Sequence, residues 1–534
     1  MENRDYIEWK RRLDFSDGEV EEDSFSGHLR FGTAGIRGVM GIGTNRMNAY
    51  VVARAAKAVA LYLGKLGGGS VAVSYDSRIK SEAFAKTAAE VFCANGLKVY
   101  ITKGVGITPL LAFSVRKLKC SAGVMITASH NPRQYNGFKV YDHRGCQIGD
   151  DYAEAVWEIM GNLTYFGIER ADFDEGLKAG NIEYIGQKVI DSYLESVLGQ
   201  GFKDCKGVKV CYTPLNGAGA DYMARLLSRL GAEVVMVNEQ ALPDGRFSTC
   251  PYPNPEMEEA YGLAITRAEE EGCDIIIAND PDGDRIGAMC RSGGGFKLLS
   301  GDEIGVLLCS FLLEQRAKKG KTDGGVIVRT AVTMRLIDKI AAHYGVRVEE
   351  TFTGFKHICR IASVLEERGE GHKFIAGYEE SNGICVGTYI FDKDGVAAAV
   401  LLCQLAAQLK EEGKTFFDKL EELYAKFGMV KSRQRRIKAD GPRGREKIKK
   451  VMAAFRSVKS YDCGGLKLLF TRDFLSEQGY DMAILEFDGG HSLAVRPSGT
   501  EPLIKLYLHA SGEDCKQVFD ALNKFIDETV AGIV

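Results

Sequence analysis

The chain has 534 residues, which is too long for one hydrophobic core, so three or four domains are expected. Its composition is that of a globular protein, with 45% hydrophobic and 26% charged residues, and a net charge of -3 provides no global attraction to nucleic acid or membranes. A polar N-terminus and the lack of any apolar run of about 18 residues argue against a signal peptide and a membrane span. The 14 cysteines include no C-x-x-C pair, so we expect reduced thiols in a cytoplasmic protein.

A short apolar strand, a polar loop and a helix recur along the chain, within residues 70–95, 208–230 and 325–344. This order is typical of β-α units in a mainly parallel sheet, and the irregular spacing excludes a solenoid. The third of these helices is expected to begin at about Val332. The pattern predicts a row of related α/β domains.

The first candidate site is residues 127–132 (Thr-Ala-Ser-His-Asn-Pro), which follow the apolar strand pattern of residues 122–126. Open α/β sheets bind ligands at the C-terminal ends of their strands, and Pro132 disfavours a helical conformation at the preceding residue. We predict that Ser129 presents its hydroxyl in an exposed turn and carries a phosphoryl group. An ordinary Ser/Asn turn is the alternative, while the flanking residues do not fit a hydrolase nucleophile elbow.

The second candidate site is residues 280–285 (Asp-Pro-Asp-Gly-Asp-Arg), again directly after an apolar strand pattern. Oxygen ligands at every second position, from Asp280, Asp282 and Asp284, suit Mg²⁺, which also takes a phosphate oxygen as a ligand. An EF-hand is excluded because its loop positions six and twelve are both arginine here. A solvated acidic turn is the alternative. Arg285 is placed to hold a phosphoryl group through two hydrogen bonds.

Downstream, a long amphipathic helix is predicted from about residue 303 to 316. In residues 377–383 (Gly-Tyr-Glu-Glu-Ser-Asn-Gly), Glu379 and Ser381 are two positions apart after a predicted strand, so they could face the same sugar hydroxyls. Lys393 is a candidate proton carrier, although a surface lysine is the commoner outcome. There is no Walker A sequence, so a nucleotide phosphoryl donor is not supported.

The last hundred residues are predicted to be α+β. They are preceded by a basic run, residues 431–436, whose lack of interleaved aromatics favours a solvated strand edge or linker over a nucleic-acid site. Residues 496–502 (Arg-Pro-Ser-Gly-Thr-Glu-Pro) combine a cation, hydroxyls and backbone N–H groups around a glycine. This combination predicts an anion cradle, with Lys505 in the strand that follows, and a polar hairpin is the alternative.

Together with residues 31–38 (Phe-Gly-Thr-Ala-Gly-Ile-Arg-Gly), these loops resemble those of the α-D-phosphohexomutase superfamily, in the same order and nearly end to end. The long N-terminal form resembles the phosphoglucomutase/phosphomannomutase branch, which includes phosphopentomutases, more than the shorter phosphoglucosamine mutases. The resemblance implies four domains around a central cleft: three related mixed-sheet α/β domains and a C-terminal α+β domain of the TBP-like type. The expected domains cover residues 1–200, 206–302, 303–428 and 435–534. In that order they would carry the phosphoserine, the metal, the sugar and the second phosphate.

The resemblance also implies the role of each site residue. Ser129 would be phosphorylated and would hold one Mg²⁺ per chain together with Asp280, Asp282 and Asp284. The other catalytic residues would be Arg285, which assists transfer, Lys393, a general acid or base, and His130. The substrate-binding residues would be Arg37 and Lys139 beside the phosphoserine, Thr353, Gly354, Glu379 and Ser381 at the sugar, and Arg496, Ser498, Gly499, Thr500 and Lys505 at the phosphate that does not react.

The sequence therefore predicts a phosphosugar mutase that interconverts hexose 1-phosphate and hexose 6-phosphate, with α-D-glucose 1-phosphate and glucose 6-phosphate as the preferred pair. The expected route has a phosphoserine enzyme and a bisphosphorylated sugar intermediate, with glucose 1,6-bisphosphate as activator. A phosphomannomutase, a phosphopentomutase and a Mg²⁺-dependent sugar phosphatase are alternatives. Two departures from the family bear on sugar preference: residues 213–217 (Thr-Pro-Leu-Asn-Gly) lack the histidine that many relatives have, and Asn382 follows Ser381. A small phosphosugar is the expected partner, with no nucleic acid or membrane, and the chain is expected to be a monomer or weak homodimer.

Overall fold

The computed structural model describes residues 9, 23–33, 35–439, 444–498 and 503–533. Four β-sheets follow one another along the chain, and we refer to the parts that contain them as the first to fourth domains. The first three sheets mix parallel and antiparallel strands, and the fourth is antiparallel throughout. The predicted architecture, three mixed-sheet α/β domains followed by an α+β domain, is confirmed.

The first sheet has six strands in the order β1-β5-β4-β2-β3-β6. Strands β2 and β4 are parallel neighbours whose last residues, Tyr75 and Ile126, are paired, so the loops that follow them begin side by side. The strands are β1 (Ile36–Val39), β2 (Ser70–Tyr75), β3 (Lys98–Ile101), β4 (Ala122–Ile126), β5 (Tyr135–Asp142) and β6 (Ile182–Tyr184). The helices are α1 (Ala49–Lys65), α2 (Ser81–Ala94), α3 (Thr108–Lys117), α4 (Asp150–Gly161), α5 (Phe173–Ala179) and α6 (Gln187–Leu198).

The second sheet has five strands in the order β11-β10-β9-β7-β8. Its central strands β9 and β7 are parallel, and the loops after them meet where the Ala218 amide donates to the Pro281 carbonyl at 2.9 Å. The strands are β7 (Lys209–Thr213), β8 (Glu233–Met236), β9 (Ile275–Asn279), β10 (Ile286–Ser292) and β11 (Gly295–Leu298). The helices are α7 (Ala220–Arg229), α8 (Asn238–Ala241) and α9 (Gly262–Glu270).

The third sheet has four strands in the order β13-β12-β14-β15. The strands are β12 (Val326–Thr330), β13 (Arg347–Thr351), β14 (Phe374–Glu379) and β15 (Gly383–Val386). The helices are α10 (Gly301–Lys318), α11 (Leu336–His343), α12 (Phe355–Glu367), α13 (Gly395–Glu411) and α14 (Phe416–Phe427).

Helix α11 begins at Leu336, so the prediction of a start near Val332 is wrong. The Thr333 amide donates to the Thr330 carbonyl at 3.2 Å, and the two hydroxyl oxygens are 2.7 Å apart. Threonine side chains that bond locally favour a turn over a helix, and here they delay the helix start.

The fourth sheet has six strands in the order β16-β21-β20-β19-β18-β17. The strands are β16 (Val430–Lys438), β17 (Asp462–Cys463), β18 (Leu466–Asp473), β19 (Ala483–Phe487), β20 (Ser492–Pro497) and β21 (Leu503–Ser511). The helices are α15 (Gly444–Ser457), α16 (Phe474–Gln478) and α17 (Cys515–Val530). The basic run lies in β16 at the sheet edge, where Arg435 pairs with Asp527 at 2.5 Å, so the predicted strand edge is confirmed.

Helix α13 lies at the centre of the molecule and is buried on nearly every side. It packs on β15 of the third sheet, on β9 and β10 of the second, and on α6, α7, α10 and α14. One continuous apolar core therefore extends through parts of the first, second and third domains. Within the described ranges, none of the helices has the length and apolar character that crossing a membrane would require.

Candidate active site

The loop after β4 presents Ser129 to the acidic loop of the second domain. The Ser129 backbone is left-handed, with φ of 52°, and its amide donates to Thr127 Oγ1 at 2.8 Å. Ser129 is only 2% exposed, and its Oγ donates to Asp280 Oδ2 at 2.7 Å. The predicted exposure of this hydroxyl is therefore wrong, because the second domain covers it. The contact joins the two candidate motifs into one site.

Arg78 supports the same loop from the first domain, and the sequence reasoning did not identify it. Its guanidinium lies against Asp76, with Nε 3.2 Å from Oδ2. It donates to four backbone carbonyls of the serine loop, those of residues 129, 131, 132 and 135. A signal was present, since an arginine follows β2, the parallel neighbour of β4. The left-handed turn at Ser129 is thereby held by side chains that are themselves buried.

Asp280, Asp282 and Asp284 form a buried triad in the loop after β9. Each offers a carboxylate oxygen that lies within 4.8 Å of the other two. The first domain reaches into this cluster: Thr108 Oγ1 and Lys139 Nζ donate to Asp282 Oδ2 at 2.8 and 2.7 Å. The loop is thus fixed from both sides of the boundary between the two domains.

The triad fits a hard dication. Asp282 Oδ1 and Asp284 Oδ1 are buried and have no hydrogen-bond partner among the described residues. A buried carboxylate oxygen without a partner is costly, and a dication would satisfy both atoms at once. An all-oxygen donor set matches the preference of Mg²⁺.

The charges in this site shift several pKa values. Burial raises the pKa of Asp280 well above its usual range, and the charges of Asp282 and Asp284 raise it further. Burial would also raise the pKa of Asp282, but the ion pair with Lys139 outweighs it and lowers that pKa. Burial lowers the pKa of His130 well below its usual value, and the charge of Arg285 adds to this effect. A neutral His130 has a ring nitrogen that can accept a proton.

Three further predicted residues surround the serine and the triad. His130 Nδ1 is 3.3 Å from Ser129 Oγ, and Arg37 Nη1 donates to the Asn131 side chain of the same loop at 2.9 Å. Lys393 Nζ is 3.3 Å from Asp284 Oδ2. Burial would lower the pKa of Lys393, but Asp284 and Asp392 outweigh it and raise that pKa. His130 and Lys393 therefore lie beside Ser129 and Asp284, and Arg37 contacts the serine loop through Asn131.

Arg285 ends the acidic loop and is largely buried. Its amide donates to Asp280 Oδ1 at 3.0 Å, while its Nη1 donates to Glu256 Oε1 at 2.5 Å. Its Nε is buried without an acceptor in the described parts of the chain. Burial would lower the pKa of Arg285, but Glu256, Asp284 and other carboxylates outweigh it and raise that pKa.

The predicted sugar loop lies next to the acidic loop. Glu379 ends β14, and the bridge between Arg285 and Gly383 brings the two loops into backbone contact. The Asn382 side chain donates to the Ile286 carbonyl at 2.7 Å, and φ at Asn382 is 63°. The asparagine after Ser381 therefore has a structural role, because its side-chain amide joins the second and third domains.

Thr353 and Gly354 lie between β13 and α12. The Tyr480 hydroxyl of the fourth domain donates to the Thr353 carbonyl at 3.0 Å, and the Thr353 and Tyr480 hydroxyls are also in contact. Gly354 precedes α12 with φ of 112°, a conformation that favours glycine. Among the described residues, no hydrogen bond joins either residue to Ser129 or the triad.

The described residues of the predicted anion cradle lie in the fourth domain. Arg496 and Lys505 are cross-strand partners in β20 and β21, and the Ser498 amide donates to the Leu503 carbonyl at 2.8 Å. Burial lowers the pKa of Lys505, and the charge of Arg496 lowers it further. Gly499 and Thr500 lie outside the described residues.

A cavity of about 320 Å³ lies between the second, third and fourth domains. Its lining includes Glu256 of the second domain, Ser381 of the third and Lys505 of the fourth. Burial and the adjacent Glu379 raise the pKa of Glu380, which also lines this cavity, to about 7.

Comparison with known proteins identifies the fold and the family. Four profiles of the phosphoglucomutase/phosphomannomutase family match in order: alpha/beta/alpha domains I, II and III at residues 28–165, 191–294 and 300–427, and the C-terminal domain at residues 429–524. Two solved structures share the fold. A phosphoglucomutase/phosphomannomutase family protein from Burkholderia thailandensis is 21% identical with a TM-score of 0.71, covering 95% of this chain and 98% of that one. The exocytosis-sensitive phosphoprotein pp63/parafusin (phosphoglucomutase) from Paramecium is 16% identical with a TM-score of 0.69, covering 96% of each chain.

Curated relatives extend over nearly the whole chain. A phosphoglucomutase of Staphylococcus saprophyticus is 32% identical over 528 residues, covering 95% of both chains. One of Staphylococcus haemolyticus is 34% identical over 525 residues, covering 95% of this chain and 94% of the relative. With four matching domain profiles and relatives of this similarity, the chain belongs to the phosphoglucomutase/phosphomannomutase family.

Proposed function

We propose that this protein is a phosphosugar mutase that interconverts α-D-glucose 1-phosphate and glucose 6-phosphate. The observation that carries the proposal is the 2.7 Å hydrogen bond from Ser129 Oγ to Asp280 within a buried carboxylate triad. The glucose assignment is supported by the full-length relatives named phosphoglucomutase. Mannose and pentose phosphates are alternative substrates of the same chemistry.

In this proposal Ser129 carries the phosphoryl group that is exchanged. The free hydroxyl oxygen of the bound phosphosugar attacks the phosphorus, and the bond between phosphorus and Ser129 Oγ breaks. The products are a sugar bisphosphate and a free serine, and the proton of the sugar hydroxyl is passed to Ser129 Oγ. Lys393 and His130 are the proposed proton carriers, because both lie beside the serine or the triad. Arg37 and Lys139 position the serine loop and the triad.

One Mg²⁺ per chain would be held by Asp280, Asp282 and Asp284 together with an oxygen of the phosphorylated Ser129. When bound, it would neutralise charge on the phosphoryl oxygens. Arg285 would add a second positive charge, and the protein would supply alignment rather than covalent chemistry.

The second phosphate of the substrate would bind at the cradle of Arg496, Ser498, Gly499, Thr500 and Lys505. Glu379 and Ser381 would hold sugar hydroxyls, with Thr353 and Gly354 contacting the sugar from the same domain. The bisphosphate then turns end for end, so that its original phosphate faces Ser129 and is transferred back to the enzyme. Closure of the fourth domain would exclude water, which would otherwise hydrolyse the phosphoserine.

Glucose 1,6-bisphosphate is the proposed activator, since it can restore a phosphoserine that has been lost. We place the protein in the cytoplasm as a monomer or weak homodimer with no nucleic-acid or membrane partner. The cytoplasmic proposal is supported by the 14 cysteines, all of which are free thiols.

Coupled assays with glucose 1-phosphate, mannose 1-phosphate and ribose 1-phosphate, each with a trace of its bisphosphate, test the substrate. Glucose 1-phosphate should give the highest kcat/KM. A value about tenfold higher for ribose 1-phosphate would reassign the substrate and leave the mechanism in place.

A Mg²⁺-dependent sugar phosphatase would share the metal loop but would need neither the cradle nor a persistent phosphoserine. Mass spectrometry separates the two: the mutase should carry about 80 Da of added mass at Ser129 in stoichiometric amount. Steady release of inorganic phosphate from an enzyme without that modification would support the phosphatase instead.

A further inference from the structure

Glu256 forms an ion pair with Arg285, although no sequence motif pointed to it. Its Oε1 accepts a hydrogen bond from Arg285 Nη1 at 2.5 Å, and the two side chains are 24% and 16% exposed. In the described parts of the chain, Arg285 has no other carboxylate within 4.0 Å of its guanidinium. Glu256 also lines the cavity that leads to Lys505.

The loop that carries Glu256 is fixed in position. The Glu256 amide donates to Asn254 Oδ1 at 3.1 Å, and the buried Tyr261 hydroxyl donates to the Pro255 carbonyl at 2.8 Å. A Cβ atom at Gly287 would lie 2.0 Å from that hydroxyl and 2.4 Å from that carbonyl, so β10 packs directly on the loop. Because β10 begins one residue after Arg285, the carboxylate and the guanidinium are held by the same local framework.

The ion pair leaves the Nε–H of Arg285 without an acceptor among the described residues. Nη1 is bound to Glu256, while Nε is buried. An unpaired buried donor is costly, so its retention in the residue that directly follows the acidic triad indicates that another acceptor occupies it during function. A phosphoryl oxygen is the chemical group that suits a guanidinium edge.

We infer that Glu256 is a positioning residue for phosphoryl transfer, holding Arg285 by one arm so that its Nε donates to the phosphoryl group exchanged at Ser129. This inference rests on the proposed function. Glu256 does not touch the phosphoryl group itself. Without Glu256 the guanidinium can turn away. The negative charge on the phosphoryl oxygens in the transition state then loses its interaction with Arg285.

The test compares Glu256→Gln with the wild type using glucose 1-phosphate and glucose 1,6-bisphosphate. A fall in kcat of roughly 10- to 100-fold is expected, with KM changed by less than about threefold, because the lost interaction acts mainly in the transition state. Glu256→Asp retains the negative charge on a side chain that is one methylene shorter, so it should recover part of kcat. Glu259→Gln, at an exposed position three residues on, is the matched control and should behave as wild type.

A double-mutant cycle with Arg285→Lys distinguishes positioning from a merely structural role. If Glu256 acts through Arg285, the two losses in kcat are not additive, and the double variant is about as active as the worse single variant. Additive losses, or a Glu256→Gln enzyme with wild-type kcat, would overturn the inference. Should Glu256→Gln not fold, Glu256→Asp carries the same cycle.

Failure of the proposed function is distinguishable from failure of this inference. If the wild type turns over none of the three sugar 1-phosphates, the mutase proposal fails and the inference fails with it. If the wild type is active and the cycle is additive, only the role of Glu256 is wrong.

Discussion

At the scale of single residues, Ser129 combines two costly features. A side chain with positive φ is strained by about 1 kcal/mol, and a buried hydroxyl requires a partner. Thr127 accepts the Ser129 amide within the loop, and Asp280 of the second domain accepts its hydroxyl. Glycine would relieve the strain but would supply no oxygen. The position therefore keeps a reactive atom at the expense of local stability.

Ser129→Ala should abolish turnover while the protein stays folded. The variant loses one hydrogen bond, which contributes about 1 kcal/mol, and Asp280 still accepts the Arg285 amide. Coupled assays and thermal unfolding measure the two effects. Ser114→Ala is the matched control, since Ser114 is equally buried and donates to a backbone carbonyl at 2.7 Å. If Ser129→Ala turned over substrate at the wild-type rate, Ser129 would be excluded as the phosphate carrier.

Asp302 gives a pH dependence of stability. Burial raises its pKa to about 6, although the Met334 amide donates to it at 2.9 Å and Ser432 also donates to it. Since the folded state holds a proton that the unfolded state releases, stability should fall as pH rises from about 4 to about 6, by up to about 3 kcal/mol. Asp302→Asn has no such proton, so its Tm relative to wild type should improve across that window.

The comparison is made by thermal unfolding of both proteins at several values between about pH 4 and 7. Asp323→Asn, at an exposed loop position, provides the control. A constant difference in Tm between Asp302→Asn and wild type across the window would show that Asp302 does not titrate there.

At the scale of elements, strand–loop pairs were predictable because buried parallel strands are continuous apolar runs. Both β4 and β9 were recognised in this way, and the catalytic loops follow them directly. The residues that hold those loops were not recognised. Arg78, Thr108 and Glu256 are distant in sequence from the loop groups they contact, and among these three only Arg78, which follows β2, had a sequence signal. The late start of α11 was missed because side-chain bonding between two threonines outweighed the helical pattern.

The loop after β7 supports the acidic loop at Gly217. A Cβ atom there would lie 2.4 Å from Pro281 Cα and 2.7 Å from its carbonyl oxygen. Gly217→Ala should therefore displace Pro281 and disturb the neighbouring carboxylates, weakening Mg²⁺ activation by roughly tenfold or more. The Mg²⁺ dependence of turnover measures this effect.

Gly262→Ala is the control for that substitution, because its Cβ would meet no atom within 4 Å. It should show the wild-type Mg²⁺ dependence. An unchanged Mg²⁺ dependence in Gly217→Ala would mean that the acidic loop tolerates movement of its backbone.

At the scale of the whole molecule, the order of the four sheets followed from the sequence and from the resemblance to a known family. The way the domains meet did not. Helix α13 is nearly all apolar, so its burial could be expected, but its contacts with two sheets depend on the tertiary arrangement. The domain boundaries expected from the sequence stay predictions.

The third and fourth domains are joined by an ion-pair cluster. Arg335 donates to both carboxylate oxygens of Glu486 at 2.9 and 2.6 Å, and Arg472 bridges Glu350 and Glu486 at 2.7 and 3.1 Å. Because these groups are partly exposed, Arg335→Ala should cost only about 1 kcal/mol of docking. That loss should raise KM for glucose 1-phosphate by roughly three- to tenfold and lower kcat less, since the anion cradle moves with the fourth domain.

Steady-state kinetics of Arg335→Ala and Arg435→Ala check this expectation. Arg435 pairs with Asp527 inside the fourth domain, so its loss removes an ion pair without touching the boundary. Equal effects of the two substitutions on KM would contradict a role of the cluster in docking.

The bond between Ser129 and Asp280 crosses from one domain to the next. A fragment limited to the first domain would keep the nucleophile and lack the carboxylates, and a fragment limited to the second would have the reverse defect. Catalysis in this protein thus depends on the interface between the two domains rather than on either domain alone. A substitution that weakens this interface, even one far from the cleft, should leave both domains folded and abolish turnover.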